Sequence, residues 1–437
     1  MESKLNQIIL DQFESLEARL NGSKSLPMHE VRKEAIESLK ENGLPGNKNE
    51  EYKFTRLTSF LEKNLDFNLS NTKASILKND IESSLMKGVE GSTLVFINDQ
   101  LSSEFTSIDP DHEDILIKEL KESGEINSNG FDHYFRKNQS FSEDGFLAWN
   151  TALTEDGIHI QVSKNKESSK PIILYFFSDA QAQQVINKPR VLIDLGENSE
   201  VTFIENIITI GDHISFNNSV VEIIAEKATR GSYIKIQNDT DNSVQINTTQ
   251  VYQPDNSTFS CYTFTLSGKM VRNNLNFVID GEGAEANMYG LYMIKGATHV
   301  DNHTTVDHLK PNSGSNELYK GIMNEQSRGV FNGKIFVRQA AQKTNAFQAN
   351  NNILLSNDAT INTKPQLEIW ADDVKCSHGC TTGQLDDEQV FYLRSRGIDK
   401  DSALNILLHA FAGDVLNRLP LESVRQILDQ AITERLK

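Results

Sequence analysis

Two of the three cysteines in this 437-residue chain lie within five residues of each other, with a histidine between them. Cys376, His378 and Cys380 stand at i, i+2 and i+4 in the run VKCSHGCTTG. In an extended strand that spacing turns all three side chains to one face. Thiolates and an imidazole suit zinc, copper or iron-sulfur chemistry and do not suit calcium or magnesium. The spacing alone leaves a plainer reading open, two small core residues around a hydrogen-bonded histidine. A single ion is hard to close on this set, because consecutive same-face residues of a strand are about 6.5 to 7 Å apart at Cα. Cys261 is more than a hundred residues away, and a cluster ordinarily takes about four protein ligands. The chain by itself is therefore ill equipped to hold a permanent cluster on cysteines.

Charge narrows the partners. With 43 Lys and Arg against 61 Asp and Glu the net charge is -18, and no basic block interrupts it. This disfavours nucleic acid and anionic membrane surfaces. Apolar runs such as 172–177 fall far short of the roughly 20 residues of a membrane span. The first residues, MESKLNQIILDQFESLEARL, read as an acidic helix and not as a signal peptide. A sparse, odd cysteine count points to a reducing compartment, so the expectation is a cytoplasmic protein with neither nucleic acid nor membrane as partner. No GxxxxGK[ST] loop is present, so any ATP hydrolysis falls to a partner.

The hydrophobic period divides the chain into 1–153, 154–384 and 385–437. Apolar residues at Leu5, Ile8, Ile9, Phe13, Leu16 and Leu20 form one helical stripe, and 28–39 repeats it. Further helical stretches are expected near 76–85 and 111–122. From about Thr154, short β-branched runs begin near Ile158, Ile172, Val191, Val201, Val220, Ile234, Val244, Phe259, Leu275 and Met288, with almost no helical pattern between them. So many strands in succession permit a sandwich, a barrel or a stacked solenoid. The Asn217-Asn218, Asn273-Asn274 and Asn350-Asn351-Asn352 runs, read as turns, favour the solenoid. At the carboxyl end Asp386 is placed to cap a helix that Gly397 stops, with Ile398 folding back on Leu393. Asp399 begins a second helix with a stripe at 404, 407, 408, 411, 415 and 419, and Val424, Ile427, Leu428 and Ile432 stripe a third after Pro420.

Long stretches are similar to a known family. GLYMIKGATHVDNHTTVDH (290–308), YKGIMNEQSRGVFNGKIFVRQAAQKTNAFQANNNILLS (319–356), KPQLEIWADDVKCSHG (364–379) and GQLDDEQVFYLRSRGI (383–398) resemble the SufB/SufD proteins of the Suf iron-sulfur cluster assembly system. NEEYKFTRL (49–57) and FLAWNTALTEDGIHIQV (146–162) extend the likeness upstream. The CSHG sequence at 376–379 and the short amino-terminal region resemble the SufD branch, although SufD proteins usually carry alanine at the position of Cys380. The resemblance implies a right-handed parallel β-helix flanked by amino- and carboxyl-terminal helical domains. It also implies a non-ATPase scaffold that pairs edge to edge with a SufB-like paralogue and binds a SufC-like ABC-type ATPase through its carboxyl-terminal helices. A transient iron-sulfur cluster shared with SufB would then form at the interface, with His378 working beside a SufB cysteine. Reduced flavin is associated with the family's complexes, but no GxGxxG opens a strand-helix unit here.

On this reading the metal-site residues are His378, Cys376 and Cys380, and the partner-binding residues are Phe391, Tyr392, Arg394, Arg396 and Phe411. Without SufB the open edge is expected to make homodimers. His299, His303 and His308 are expected to stack in the solenoid, and Gly321, Gly329 and Gly333 to mark its corners. Two other classes fit parts of the sequence. A β-helical carbohydrate-active enzyme would use Asp301 with Asp307, or Asp372 with Asp373, as acid and base. A zinc-stabilised structural protein would bind the ion at Cys376, His378 and Cys380.

Overall fold

Short strands in long succession satisfy their backbones either as hairpins or as coils, because parallel pairing needs a long crossover. This chain coils, each crossover being a strand of the opposite sheet. The computed structural model describes residues 4–20, 27–46, 48–67, 74–120, 144–155 and 157–436. Strands pass alternately to two ten-stranded sheets. Sheet A begins with Gln100–Leu101 and Ser92–Ile97, continues through Ile172–Asp179, Glu200–Ile210, Arg230–Asn238, Thr258–Ser267, Glu285–Ile294, Gly314–Met323 and Asn345–Leu354, and ends at Lys375–Gly383. Sheet B runs from Leu116–Glu119 and Ile158–Val162 through Arg190–Leu195, Ser215–Ala225, Ser243–Gln253, Met270–Ile279, His299–His308 and Arg328–Val337 to Thr360–Ile369, and its tenth strand, Val185–Asn187, also pairs with Ser215–Ala225. The first pairing in each sheet is antiparallel and the succeeding ones are parallel. The molecule is mainly β, a parallel β-solenoid flanked by helices at both ends of the chain. Ser92–Ile97 already forms a rung of sheet A, well before Thr154.

The corners repeat where the sequence shows no fixed motif. Asn198, Ala228, Asn256, Gly283 and Asn312 take φ of +58°, +58°, +56°, +68° and +57°, the left-handed region that asparagine and glycine tolerate best. Their N–H groups donate to the next coil, Asn198 to Lys227 O at 2.9 Å and Asn256 to Glu282 O at 2.8 Å. The paired asparagines expected at turns instead lie inside strands. There they form ladders: Asn247 Nδ2 donates to Asn273 Oδ1 at 3.2 Å, and Asn273 Nδ2 to Asn302 Oδ1 at 3.0 Å. Gly321, Gly329 and Gly333 are likewise within strands and not at corners. A Cβ on Gly321 would sit 2.4 Å from Tyr292 Cε2, and one on Gly333 2.2 Å from Gln348 Nε2. These glycines admit large inward neighbours. The helix expected over 111–122 is a 3₁₀ turn, Pro110–His112, followed by the Leu116–Glu119 strand; 121 and 122 lie outside the described residues.

The interior is lined by Val, Ile, Leu and Phe from both sheets. On the outer face of sheet B, the Lys4–Arg19, Leu57–Asn64 and Gly145–Leu153 helices bury Leu5, Ile9, Phe146 and Trp149 against Phe216, Val244 and Ile246. On the outer face of sheet A, the Lys400–Leu416 and Glu422–Arg435 helices bury Leu408, Ala412, Val415, Val424, Leu428 and Ile432 over Tyr262, Leu291 and Ile322. The buried line of the Lys400–Leu416 helix runs through Ala403, Leu408, Ala412 and Val415, so Leu404, Leu407 and Phe411 sit at its margin. No described helix is long and apolar enough to cross a membrane.

Candidate functional site

The last strand of sheet A, Lys375–Gly383, pairs on one side with Asn345–Leu354 and ends the sheet on the other. Sheet B ends beside it at Thr360–Ile369. Cys376, His378 and Cys380 are in register with Ala346, Gln348 and Asn350, all three buried inside the solenoid. Residues in register share a face. The three side chains therefore point to the interior face of the open coil, as the spacing predicts. Cys376 is half-buried against the core, whereas His378 and Cys380 are exposed because no further rung covers them.

Backbone phase sets what this edge offers. Lys375 N–H donates to Thr344 O at 2.9 Å. Along a strand, residues alternate in the side to which their N–H and C=O point, so Cys376, His378 and Cys380 turn theirs to the open edge. The candidate ligands and the free hydrogen-bonding groups thus come from the same residues. Burial pushes the Cys376 thiol up from its ordinary range, so a metal must displace a proton to bind it. Within the described residues of one chain, no group of three His, Cys, Asp or Glu side chains comes together as a metal cage. Ligands from across the edge are needed to close one.

Behind His378 the interior is polar. Glu317, Gln348 and His378 follow one another across three rungs, and Gln348 Nε2 donates to Glu317 Oε2 at 2.7 Å. Burial pushes the Glu317 carboxyl up to about 7. Local sequence carries no signal for this column, since its members are about 30 residues apart and only the coil register aligns them.

The histidines of HVDNHTTVDH serve packing. His299 meets Thr55 Oγ1 at 2.8 Å, and His308 meets Ser313 and Ser315 at 2.8 and 3.0 Å. His303 sits 2.9 Å from Asp301, which Arg272 also holds at 2.6 Å, and this cationic surrounding keeps the Asp301 carboxyl well below its usual range despite burial. The NEEYKFTRL segment completes the network: Glu51 pairs with Lys334 at 2.6 Å and His303 at 3.3 Å, while Arg272 stacks over the Tyr52 ring at 3.8 Å. Glu50 reaches Lys364 on the terminal strand at 2.6 Å. The amino-terminal segment therefore braces the open end of sheet B. Asp307 is held bidentate by Arg338 at 2.8 and 2.7 Å. With Asp301 and Asp307 each tied to an arginine, neither is placed as a free glycosidase acid or base.

The Asp387–Ser395 helix follows the terminal strand, capped by Asp386 and ended at Gly397 with φ +88°. Phe391 and Tyr392 are 73% and 57% exposed on it, with Arg394 and Arg396 beside them. The Arg396 guanidinium lies 5.2 Å from the Tyr392 ring centre. Phe411 is not part of this patch; it is half-buried beneath the Lys320 ammonium, 4.1 Å from its ring. Lys320 also binds Phe411 O at 3.0 Å, and Tyr262 OH binds Arg418 O at 2.7 Å, which fix the carboxyl-terminal helices to sheet A.

Known proteins are similar to this chain in sequence along nearly its whole length. A family model described as the SufBD core domain of the SUF system for FeS cluster assembly matches residues 176–411, and the SufBD protein N-terminal region matches 3–174. An iron-sulfur cluster assembly SufBD family protein of Synechocystis is 31% identical over 100% of this chain and 98% of its own. The iron-sulfur cluster assembly protein SufD of Escherichia coli is 34% identical over 67% of this chain and 69% of its own. A chloroplastic protein of Arabidopsis thaliana, ABCI7, is 28% identical over 97% of this chain and 89% of its own. With the core model covering more than half of the residues, the chain belongs to the SufBD family of iron-sulfur cluster assembly proteins.

Proposed function

We propose that this chain is a SufD-like, non-ATPase scaffold that assembles iron-sulfur clusters at an interface with a SufB-like paralogue. The observation that carries the reading is the open terminal strand. Its unpaired backbone groups and its Cys376, His378 and Cys380 side chains present hydrogen bonds and soft ligands to an incoming strand together. An antiparallel partner strand would place its own side chains about 5.5 Å away at Cα, within reach of a metal shared with His378. The neutral imidazole then binds iron or accepts a proton released when a thiol ionises. The exposed Phe391, Tyr392, Arg394 and Arg396 patch is the docking point for a SufC-like ATPase, aromatic and arginine residues being the usual anchors of such contacts.

Co-expression with SufB-like and SufC-like partners, followed by affinity purification on this chain, tests the reading. The expected result is a complex holding all three proteins that gains iron and acid-labile sulfide when supplied with both. Recovery of this chain alone, or of a complex that never gains iron or sulfide, would overturn it.

A further inference from the structure

We infer that a second copy of this chain, joined antiparallel along the Lys375–Gly383 edge, completes a thiolate and imidazole site for a thiophilic divalent cation. The reason is the symmetry of the sequence about His378. Cys-x-His-x-Cys reads the same in both directions, and a twofold axis through His378 reverses the strand. Cys376 then faces the second copy's Cys380, His378 faces the second copy's His378, and Cys380 faces the second copy's Cys376.

Backbone phase permits this register. Cys376, His378 and Cys380 turn their N–H and C=O groups outward, as the inward bond of Lys375 requires, so each facing pair exchanges two hydrogen bonds at about 5.5 Å between Cα atoms. All of these side chains lie on the interior face. On the other face Lys375 meets Thr381 and Ser377 meets Gly379, so no like charges are opposed. One strand spaces its ligands about 6.5 to 7 Å apart, whereas the dimer brings two sulfurs side by side with an imidazole one rung along. Two thiolates, one imidazole and an open position suit zinc or cobalt, and the twofold makes two such sites. The inference shares with the proposed function only the open edge and the ligand character of these residues; it requires no paralogue. In the dimer the edge is closed, so the two occupants compete for it.

The test uses the full chain purified alone. Diamide takes two electrons and two protons from a thiol pair, and facing cysteines at this spacing fall within the 4.4 to 6.8 Å Cα range of about 5.5 Å typical for disulfides. Wild type is expected to give a covalent dimer on a non-reducing gel. Cys376→Ser and Cys380→Ser, each alone, should give none, because each lacks one side of every pair. Their equimolar mixture should restore the cross-link at about half the wild-type yield, the share of mixed dimers that random exchange produces. Cobalt(II) added alone should give thiolate charge-transfer absorption in wild type, little in either single variant, and about a quarter of the wild-type amplitude in the mixture, because half of the dimers are mixed and each of those keeps one of the two thiolate pairs. A cross-link surviving in either single variant, a mixture that restores nothing, or a monomeric wild type in sedimentation would each overturn the inference. Neighbouring registers move facing cysteines to diagonal positions about 7 to 8 Å apart and fail the mixture test. Loss of partner-dependent cluster formation with the mixture result intact would count against the proposed function alone.

Discussion

Glu317 offers the sharpest physical prediction, because it is a buried carboxyl whose charge the interior opposes. Its ordinary value of 4.5 rises to about 7 with burial. Between those values the folded chain keeps a proton that the unfolded chain has released, so the unfolding free energy falls as pH rises through the window and levels off above it. At about 1.4 kcal/mol per pH unit, the wild type forgoes about 2 kcal/mol at pH 6 and about 3 kcal/mol at pH 8 relative to a side chain that cannot ionise. Glu317→Gln is that side chain, and its carbonyl still accepts from Gln348 Nε2. Urea unfolding of both proteins at pH 6, 7 and 8, followed by circular dichroism, measures the difference. These values stay clear of the isoelectric point near 5.1, where solubility is least. His308 titrates in the opposite sense. Burial depresses it to about 4, so its contribution is present above its ordinary 6.5 and is lost as pH falls, but it is common to both proteins and cancels. The expected result is a variant whose advantage grows with pH. A difference that stays constant, or a variant less stable at pH 8, would refute the assignment of Glu317 as a protonated interior group.

Other expectations follow from single contacts. Arg272→Met leaves the buried Asp301 carboxylate with only His303 and the Thr55 hydroxyl as partners and is expected to destabilise the fold by about 3 to 5 kcal/mol in urea unfolding; a loss under 1 kcal/mol would mean that the network relaxes. Gly321→Ala sets a methyl against the Tyr292 ring inside the solenoid, and thermal unfolding should show a loss of about 1 to 3 kcal/mol. Phe391→Ala with Tyr392→Ala removes an exposed patch, so affinity for a SufC-like ATPase should drop at least about tenfold in calorimetry while Tm stays in place. Unchanged affinity would move the docking point elsewhere on the carboxyl-terminal helices.

Local signals are legible in the sequence. The caps Asp386 and Asp399 bond Glu388 N–H and Ser402 N–H as their positions predict, and the period-two spacing put Cys376, His378 and Cys380 on one face. What escaped depends on partners far along the chain. Asn273 looks like a turn residue until Asn247 and Asn302 stack on either side of it. Gly333 looks like a corner until Gln348, from the facing sheet, claims the space above it. The stretch after Asp111 looks helical, yet Leu116–Glu119 pairs with Ile158–Val162 and becomes strand. The expected carboxyl-terminal stripe shares Leu408, Val415 and Leu419 with the buried line, but Ala403 and Ala412 take the places expected of Leu404 and Leu407, because the outer face of sheet A, and not the helix, decides which side is buried. Glu51 and Arg272, more than 200 residues apart, show why the bracing of the open end could not be read from pattern.

The central claim is that His378 acts at a site shared across the terminal strand. Full complexes of this chain with SufB-like and SufC-like partners, prepared with His378 or with His378→Ala, and assayed for iron and acid-labile sulfide after reconstitution, test it most directly. The side chain is exposed and no described hydrogen bond of the fold involves it, so both chains should capture their partners equally. The account predicts that the alanine complex forms and gains less than about a tenth of the wild-type iron and sulfide, a loss in the range seen when a metal ligand or its immediate support is removed. An alanine complex that fills at the wild-type rate would contradict the account.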